Sequence, residues 1–380
     1  MADLVLITGA RAGAALDLAR DFRMAGWQVH MADSSPARLA RWSKAPHHVH
    51  RHAPPALDRA GFRRDMDALV ARLQPALIVP CCEEVFHLAA WAEASGWHDR
   101  LFAPPLAVLR RLHDKLEFAR LGAELGLPVP ESLPFDPGQP PADPAEWVFK
   151  PRFSRFGGKT LVGPTPRQLA RLGAVESWLA QRKARGIEHC FHAVAHQGEI
   201  TAFAAYRSDW KLGGGASFAF TPVAGALADQ LRQIAGTLAR ATSLTGQFAC
   251  DAIVDADGQP WLIECNPRAT SGVHLLAGGG ALARTIAQRE PVQTGASRLA
   301  YVGPVMLTYG LPMALRHRRL RHWRATMRQG RDVVGAPGDR LPALGALVDG
   351  LGFTLHGVRH GMSATTSTTR DIEWNGEELG

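Results

Sequence analysis

The 380-residue chain is short of the features that mark several protein classes. It has five cysteines, Cys81, Cys82, Cys190, Cys250 and Cys265, an odd number with no CxxC spacing, which argues against a secreted disulfide framework and fits reduced thiols. No apolar run reaches the roughly 18 residues needed to span a bilayer, and the opening MADLVLITGARAG lacks a basic segment ahead of an apolar one. A soluble, cytoplasmic protein with no membrane span is expected. Charged residues make up only 21% against 46% hydrophobic, which sets disorder aside as the default state. No internal repeat of roughly 20 to 50 residues is visible. Acidic residues are outnumbered, 35 against 43 basic, and the resulting +8 favours anionic partners: nucleotides, acidic metabolites, nucleic acid or anionic lipid.

The residues that are present alternate between strand and helix patterns. LVLITG reads as a buried strand, ALDLARDFRMAG as a helix with Leu18, Phe22 and Ala25 on one face, and WQVHMAD as a second strand. PALIVPC adds another strand, and EVFHLAAWAEASG a helix ending on Gly96. This alternation predicts an α/β domain with an open parallel sheet over residues 1–103. A single helix, LRRLHDKLEFARLGAELG, is expected to stop at Gly126, and the proline-rich LPFDPGQPPADP reads as a surface linker. From Trp147 onward, short strands (WVFKP, GIEHCFHAVAHQGEITAFAAYR) surround helices (PRQLARLG, VESWLAQRKARG), an α+β pattern.

The first turn, TGARAGAA, offers a dinucleotide reading, with Asp33 ending the second strand. The second glycine of that fingerprint is replaced by Arg11, and none of Tyr206, Tyr301 and Tyr309 stands four residues before a lysine, as short-chain dehydrogenases require. The alternative is that Gly9 and Gly13 serve a tight strand-to-helix turn, with Arg11 at the helix start able to meet an anion.

QFACDAIVDADGQPWLIECNPR holds two apolar-rich runs around Asp257-Gly258, a hairpin signal. A two- or four-residue loop there sets Asp251 opposite Glu264 and Ala249 opposite Asn266, whereas a three-residue loop slips that register. Opposed like charges on one sheet face are destabilising, so something must offset them. Side-chain alternation groups Asp251, Glu264 and Asn266 on one face and Cys250 with Cys265 on the other. An oxygen-only set of two carboxylates and an amide suits Mg²⁺ or Mn²⁺, with Arg268 aimed at a phosphate oxygen. The competing reading is a solvated face with Arg268 as its surface partner.

Two lysines stand out in a chain whose basic residues are mostly arginine. Lys115 precedes GLPVP, and Lys150 ends WVFKP just before a loop with Ser154, Gly157 and Gly158, whose N–H groups suit anionic oxygens. Taken alone, that loop also fits an ordinary hairpin tip.

Lysine, GLPVP, lysine-proline, a glycine loop and a terminal carboxylate-x-amide-x-arginine strand occur in this order. Over about residues 1 to 300 the chain resembles the ATP-grasp superfamily, particularly its carbamoyl-phosphate-synthase-like and carboxylate-amine ligase branches. The resemblance implies α+β ATP-grasp subdomains over residues 104–300, a lid at about 115–185 and a core at about 186–300, followed by a small basic C-terminal domain at 301–380. It also implies ATP and Mg²⁺ (or Mn²⁺) as cofactors. Lys115, Lys150, Ser154, Gly157 and Gly158 would hold phosphates. Gln181, Arg182 and Lys183 would border the adenine, and Glu188 would hold the ribose. Asp251, Glu264 and Asn266 would be the metal ligands, and Arg268 the catalytic arginine. The implied activity is activation of a small carboxylic acid as an acyl phosphate, followed by coupling to an amine. Phosphotransfer of the carbamoyl-phosphate type and a non-catalytic nucleotide-binding protein are the alternatives.

Arg207, Lys211 and Gly214 in YRSDWKLGGGASFAF, and His274 in TSGVHLLAGGG, are candidates for substrate contact. In LRHRRLRHWRATMRQGR, Met313, Leu320, Trp323 and Met327 form a stripe at helical spacing, read as a helix docked on the core rather than a nucleic-acid surface. The closing TTSTTRDIEWNG is expected to cap the last domain as a strand and loop. The expected partners are a small carboxylate and an amine, with a homodimer left open.

Overall fold

A computed structural model describes residues 2–136, 141–154, 159–172, 177–212, 215–292 and 298–379. Leu4–Thr8 (β1), Gln28–Asp33 (β2), His48–Arg51 (β3) and Leu77–Val79 (β4) form a parallel sheet in the order β3-β2-β1-β4. The strands and helices expected here are present, and β3 is an addition. Gly9, at the end of β1, has φ of +71°, and a Cβ there would lie 2.9 Å from both Cys82 Sγ and Glu84 Oε1. Only glycine fits that turn.

Ser132–Phe135 (β5), Trp147–Pro151 (β6), Leu161–Val162 (β7) and Trp178–Arg182 (β8) make a second sheet in the order β5-β8-β6-β7. Its small core is built by Phe135, Trp147, Phe149, Leu169, Trp178 and Ala180. The helix expected over VESWLAQRKARG is instead β8 from Trp178, with 173–176 outside the described residues. β8 lies between β5 and β6, and both of its faces are covered: Trp178 and Ala180 pack in the small core while Gln181, on the other face, lines the gap toward the third sheet, so Trp178 to Gln181 are all buried and strand alternation is hidden.

The third sheet collects Ile187–His196 (β9), Glu199–Arg207 (β10), Ala219–Val223 (β11), Gly246–Val254 (β12), Pro260–Asn266 (β13), Ala300–Tyr301 (β14) and Arg331–Asp332 (β15). Its order is β13-β12-β9-β10-β11-β14-β15. Helix Ala226–Ala241 buries Leu231, Ile234, Ala235 and Leu238 with Phe191, Phe203 and Phe248 of this sheet. The first sheet and helix Gly13–Met24 share one core with Ala204 and Phe220 of the third, so the parallel domain and this sheet are packed together.

The residues after 300 complete β14, add β15 to the third sheet and share a core with it. Helices Leu311–Arg316 and Leu320–Gln329 replace the single expected helix, broken at Arg318 (φ +55°). Met313, Trp323 and Met327 pack against a cluster containing Trp210, Phe218 and Met306. The last residues do not cap that region; they run back to the parallel domain. Asp371 pairs with Arg11 at 2.7 Å, and Trp374 packs in the core with Phe86 and Leu109. Helix Leu341–Arg359 has 19 residues, and an 18-residue window of it has mean hydropathy 1.3, long and apolar enough, by length and composition alone, to cross a bilayer. Its Asp349 is buried, accepting from Leu39 N at 2.9 Å and pairing with Arg38 at 3.2 Å.

Candidate functional site

The β12–β13 hairpin carries the acidic half of the site. Asp255 N donates to Gln259 O (3.1 Å), leaving a loop of Ala256, Asp257 and Gly258, with Gly258 left-handed at φ +83°. The loop therefore has three residues, and near it Val254 pairs with Pro260 and Ala252 with Leu262. A β-bulge then inserts Ile263. Beyond it the register is the one expected from sequence: Asp251 opposite Glu264, Cys250 opposite Cys265, Ala249 opposite Asn266. Two departures, an odd loop and one added residue, cancel. Leu262 and Cys265 lie in the core, while Ile263, Glu264 and Asn266 line a cavity. Cys250 and Cys265 are free thiols.

The basic half comes from the other side. The single helix expected around Lys115 breaks at Asp114 into Leu106–His113 and Lys115–Glu124. The Asp114 carboxylate caps the second helix by accepting from Leu116 N (3.0 Å) and also holds Arg152 Nε (2.9 Å). The break places Lys115 at a helix start, where its Nζ donates to Ser154 O (2.9 Å) and lies 3.4 Å from Glu264 Oε2. Lys150 Nζ donates to Gln181 Oε1 (2.9 Å) and to the bulge carbonyl Ile263 O (2.9 Å), while Gln181 Nε2 donates to Ser132 Oγ (3.0 Å). The bulge thus supplies the acceptor that ties the second sheet to β13.

The electrostatics follow from this convergence. Burial pushes the Lys150 ammonium down to about 8, with Lys115 acting in the same direction. Burial alone would raise Glu264, but Lys115 and Lys150 outweigh it and hold the carboxyl below the usual range. Asp251 is raised, by burial and then by the Glu264 charge. Asp251 faces its like-charged neighbour in a position where a divalent cation would remove the repulsion. Among the described residues no cluster of three or more His, Cys, Asp or Glu could hold a metal. The fitting set is the oxygen-only trio Asp251, Glu264 and Asn266, with Asn266 Nδ2 3.5 Å from Asp251 Oδ2.

The cavity between the second and third sheets has a volume of about 530 Å³. Lys150, Ser154, Gln181, Arg182, Lys183 and Glu188 line it, together with Asp251, Glu264, Asn266 and Arg268. Lys115 reaches it through Glu264. Gly157, Gly158 and Gly214 lie outside the described residues. Lys211 is held 2.7 Å from Glu188 Oε1. Arg207 is exposed at the end of β10 and is not part of the wall. His274 is buried away from it, with Nδ1 2.8 Å from Asp17 Oδ2 and its ring stacked on Phe220.

Several wall residues have no sequence signal of their own. Cys190, Tyr206, Ser217, Thr270 and Ser271 are brought in by β9, β10 and the segments before β11 and after β13. Glu83 is a further omission: its Oε1 accepts from Arg268 Nε (2.9 Å), while Arg268 NH2 donates to Asn266 Oδ1 (3.3 Å). The only hint of Glu83 was its place at the end of a parallel strand.

An antiparallel sheet thus faces a larger sheet, with two lysines meeting an acidic hairpin across the gap. Residues 112–272 match the family model described as an ATP-grasp domain. Solved structures with the same fold include an L-amino acid ligase from Bacillus licheniformis, with 13% identity, TM-score 0.60, and coverage of 79% of this chain and 78% of that one. The N5-carboxyaminoimidazole synthetase from Staphylococcus aureus complexed with ADP has 13% identity and TM-score 0.63, covering 82% and 85%. Biotin carboxylase from Campylobacter jejuni has 13% identity and TM-score 0.60, covering 79% and 75%. No curated protein matches the sequence.

Proposed function

We propose that the chain is an ATP-dependent ligase that activates a small carboxylic acid and couples it to an amine. The observation that carries this reading is the meeting of Lys115 and Lys150 with Asp251, Glu264 and Asn266 in one cavity between two sheets. Such a set binds polyphosphate and cation together, and it contains no nucleophile-base pair. Positioning and charge neutralisation are what phosphoryl transfer needs most.

In this reading Lys115 and Lys150 hold phosphate oxygens, and the backbone at Arg182 and Lys183 borders the base, with Ile253 and Ile263 as apolar wall. Glu188 meets the ribose. Asp251, Glu264 and Asn266 would hold Mg²⁺, which neutralises phosphate charge when bound. A carboxylate oxygen of the first substrate forms a bond to the γ-phosphorus as the bond to the bridging oxygen breaks and ADP leaves. The amine then forms the C–N bond to the acyl carbon, phosphate departs, and the amine's proton passes to solvent. Arg268, fixed by Glu83, presents its guanidinium to the transferring phosphoryl. The L-amino acid ligase among the structures of like fold supports the amide-forming version.

Incubation with ATP, Mg²⁺ and pools of amino and organic acids tests the proposal, with ADP and new product masses as the readout. Formation of ADP only in pools that also yield a condensed product supports it. Absence of any Mg²⁺-dependent thermal shift with ATP would refute it.

A further inference from the structure

Between Glu290 and Asp332 the chain has eight arginines and no aspartate, glutamate or lysine. Without them basic and acidic residues balance at 35 each, so this one stretch carries the whole formal charge of +8. The fold neutralises Arg331 against Asp17 (2.9 Å), and Arg298 Nε donates to Gln329 O (2.7 Å). The other six, Arg316, Arg318, Arg319, Arg321, Arg324 and Arg328, are exposed, with no carboxylate partner among the described residues.

Arg321, Arg324 and Arg328 stand three and four residues apart on helix Leu320–Gln329. At about 100° and 1.5 Å per residue they fall within about 60° of one another along about 10 Å of axis. The other side of the helix is held by the core: Thr326 is buried, Trp323 Nε1 donates to Met306 O (3.0 Å), and Met327 packs against the cluster with Trp210. The arginine ridge therefore points outward. Like charges at these spacings repel, and no acidic side chain interrupts the row, so it adds nothing to the stability of the single chain. Of the six, only Arg319 has an aromatic contact, 5.3 Å above the Trp210 ring.

Charge complementarity requires an anionic occupant, and the neighbouring side chains narrow its class. Leu307, Tyr309 and Leu315, on the helical turns that lead into the arginines, are 54, 56 and 59% exposed. Aliphatic side chains beside arginines suit a lipid headgroup layer, where phosphates meet the guanidinium groups and the leucines find apolar surface. A nucleic-acid strand calls for exposed stacking rings, yet Trp210 is buried and Trp323 is engaged with the core, which leaves Tyr309.

We propose that the arginine face of residues 316–328 docks reversibly on an anionic lipid surface, with Leu307 and Leu315 reaching into the headgroup layer. This contact is independent of the ligase reading, and its test does not depend on turnover.

Co-sedimentation of the full chain with phosphatidylcholine–phosphatidylglycerol vesicles is the test. Binding is expected at low salt, with release at high salt and none on phosphatidylcholine alone. Each arginine facing such a surface is worth about fivefold in partitioning, so R321Q/R324Q/R328Q should weaken binding by about 100-fold. Three exposed arginines elsewhere, Arg64, Arg167 and Arg171, supply a control of the same net charge: R64Q/R167Q/R171Q should bind like wild type. Both triple variants should keep the wild-type circular dichroism spectrum, because all six side chains are exposed. No binding to the mixed vesicles, equal binding to neutral ones, or equal losses in the two triple variants overturns the proposal. So does a single-stranded RNA that binds through the same three arginines and displaces the chain from the vesicles.

Discussion

Two places where strands end among charged groups have opposite outcomes. At the carboxyl ends of the parallel sheet, Arg11 is pinned by Asp33 (2.6 Å), Asp371 (2.7 Å), Ser34 and the carbonyl of Thr368. At the end of the β12–β13 hairpin, Lys115, Lys150, Asp251 and Glu264 converge on an open cavity. In sequence the Arg11 cluster resembles a dinucleotide turn, yet the chain's own tail saturates it. The hairpin cluster resembles an awkward surface turn, yet its charges meet only partly, leaving oxygen donors and ammonium groups for a ligand. What separates a structural charge cluster from a binding site here is whether the fold itself completes the pairing.

The largest effect that would break this contrast is at Glu264. Glu264→Gln should lower ADP formation by at least about 100-fold, the scale of losing one preorganised electrostatic group, with thermal unfolding little changed. Wild-type turnover in a coupled ADP assay would return the hairpin to the class of solvated faces.

The mirror image is Arg11→Ala. It strands Asp33 and Asp371 in a buried setting and should cost about 3–5 kcal/mol in urea unfolding, while activity per folded molecule is retained. Loss of ATP affinity in the folded variant would mean that the Arg11 cluster is a site after all.

A pH series sharpens the same point. Burial alone would raise Asp371, but the Arg11 hydrogen bonds and charge outweigh it and depress the carboxyl. A depressed carboxyl stabilises fully above its unfolded value of about 3.9, and the contribution is lost as pH falls through the lower folded value. The stability gap between wild type and Asp371→Asn should therefore be constant near neutrality and shrink below about pH 4. A gap that widens with acidity would contradict the pairing.

The smallest effect is expected at Arg207, a candidate for substrate contact in the sequence that stands exposed outside the cavity wall. Arg207→Ala should change stability by no more than about 0.5 kcal/mol, and should leave the KM of the acid substrate near the wild-type value. A large KM change would place substrate beyond the described cavity.

Sequence was most informative where a short-range rule applied. Asp257-Gly258 located the hairpin, alternation sorted Glu264 and Asn266 from Cys265, and Gly126 ended its helix. What could not be read was set by distant partners. β8 resembles a helix because both of its faces are covered, so consecutive residues are buried. The Asp114 break depends on Arg152, and Glu83 enters through Arg268, which lies 185 residues away. The destination of the tail follows from a pocket for Trp374 made by residues near the start of the chain.

The added residue at Ile263 gives the hairpin a division of labour. Without it, Leu262, Glu264, Cys265 and Asn266 would alternate core and cavity in an unbroken ladder, and the two carboxylates would still face one another. What would vanish is the carbonyl that holds Lys150 and one piece of apolar wall. The acidic pair is therefore written into the strand's regular part, and the grip on the opposing sheet into its single irregularity. The bulge lies between the loop tip and the carboxylates, and because it offsets the odd loop, a change in loop length would shift the register of the pair unless the bulge changed with it.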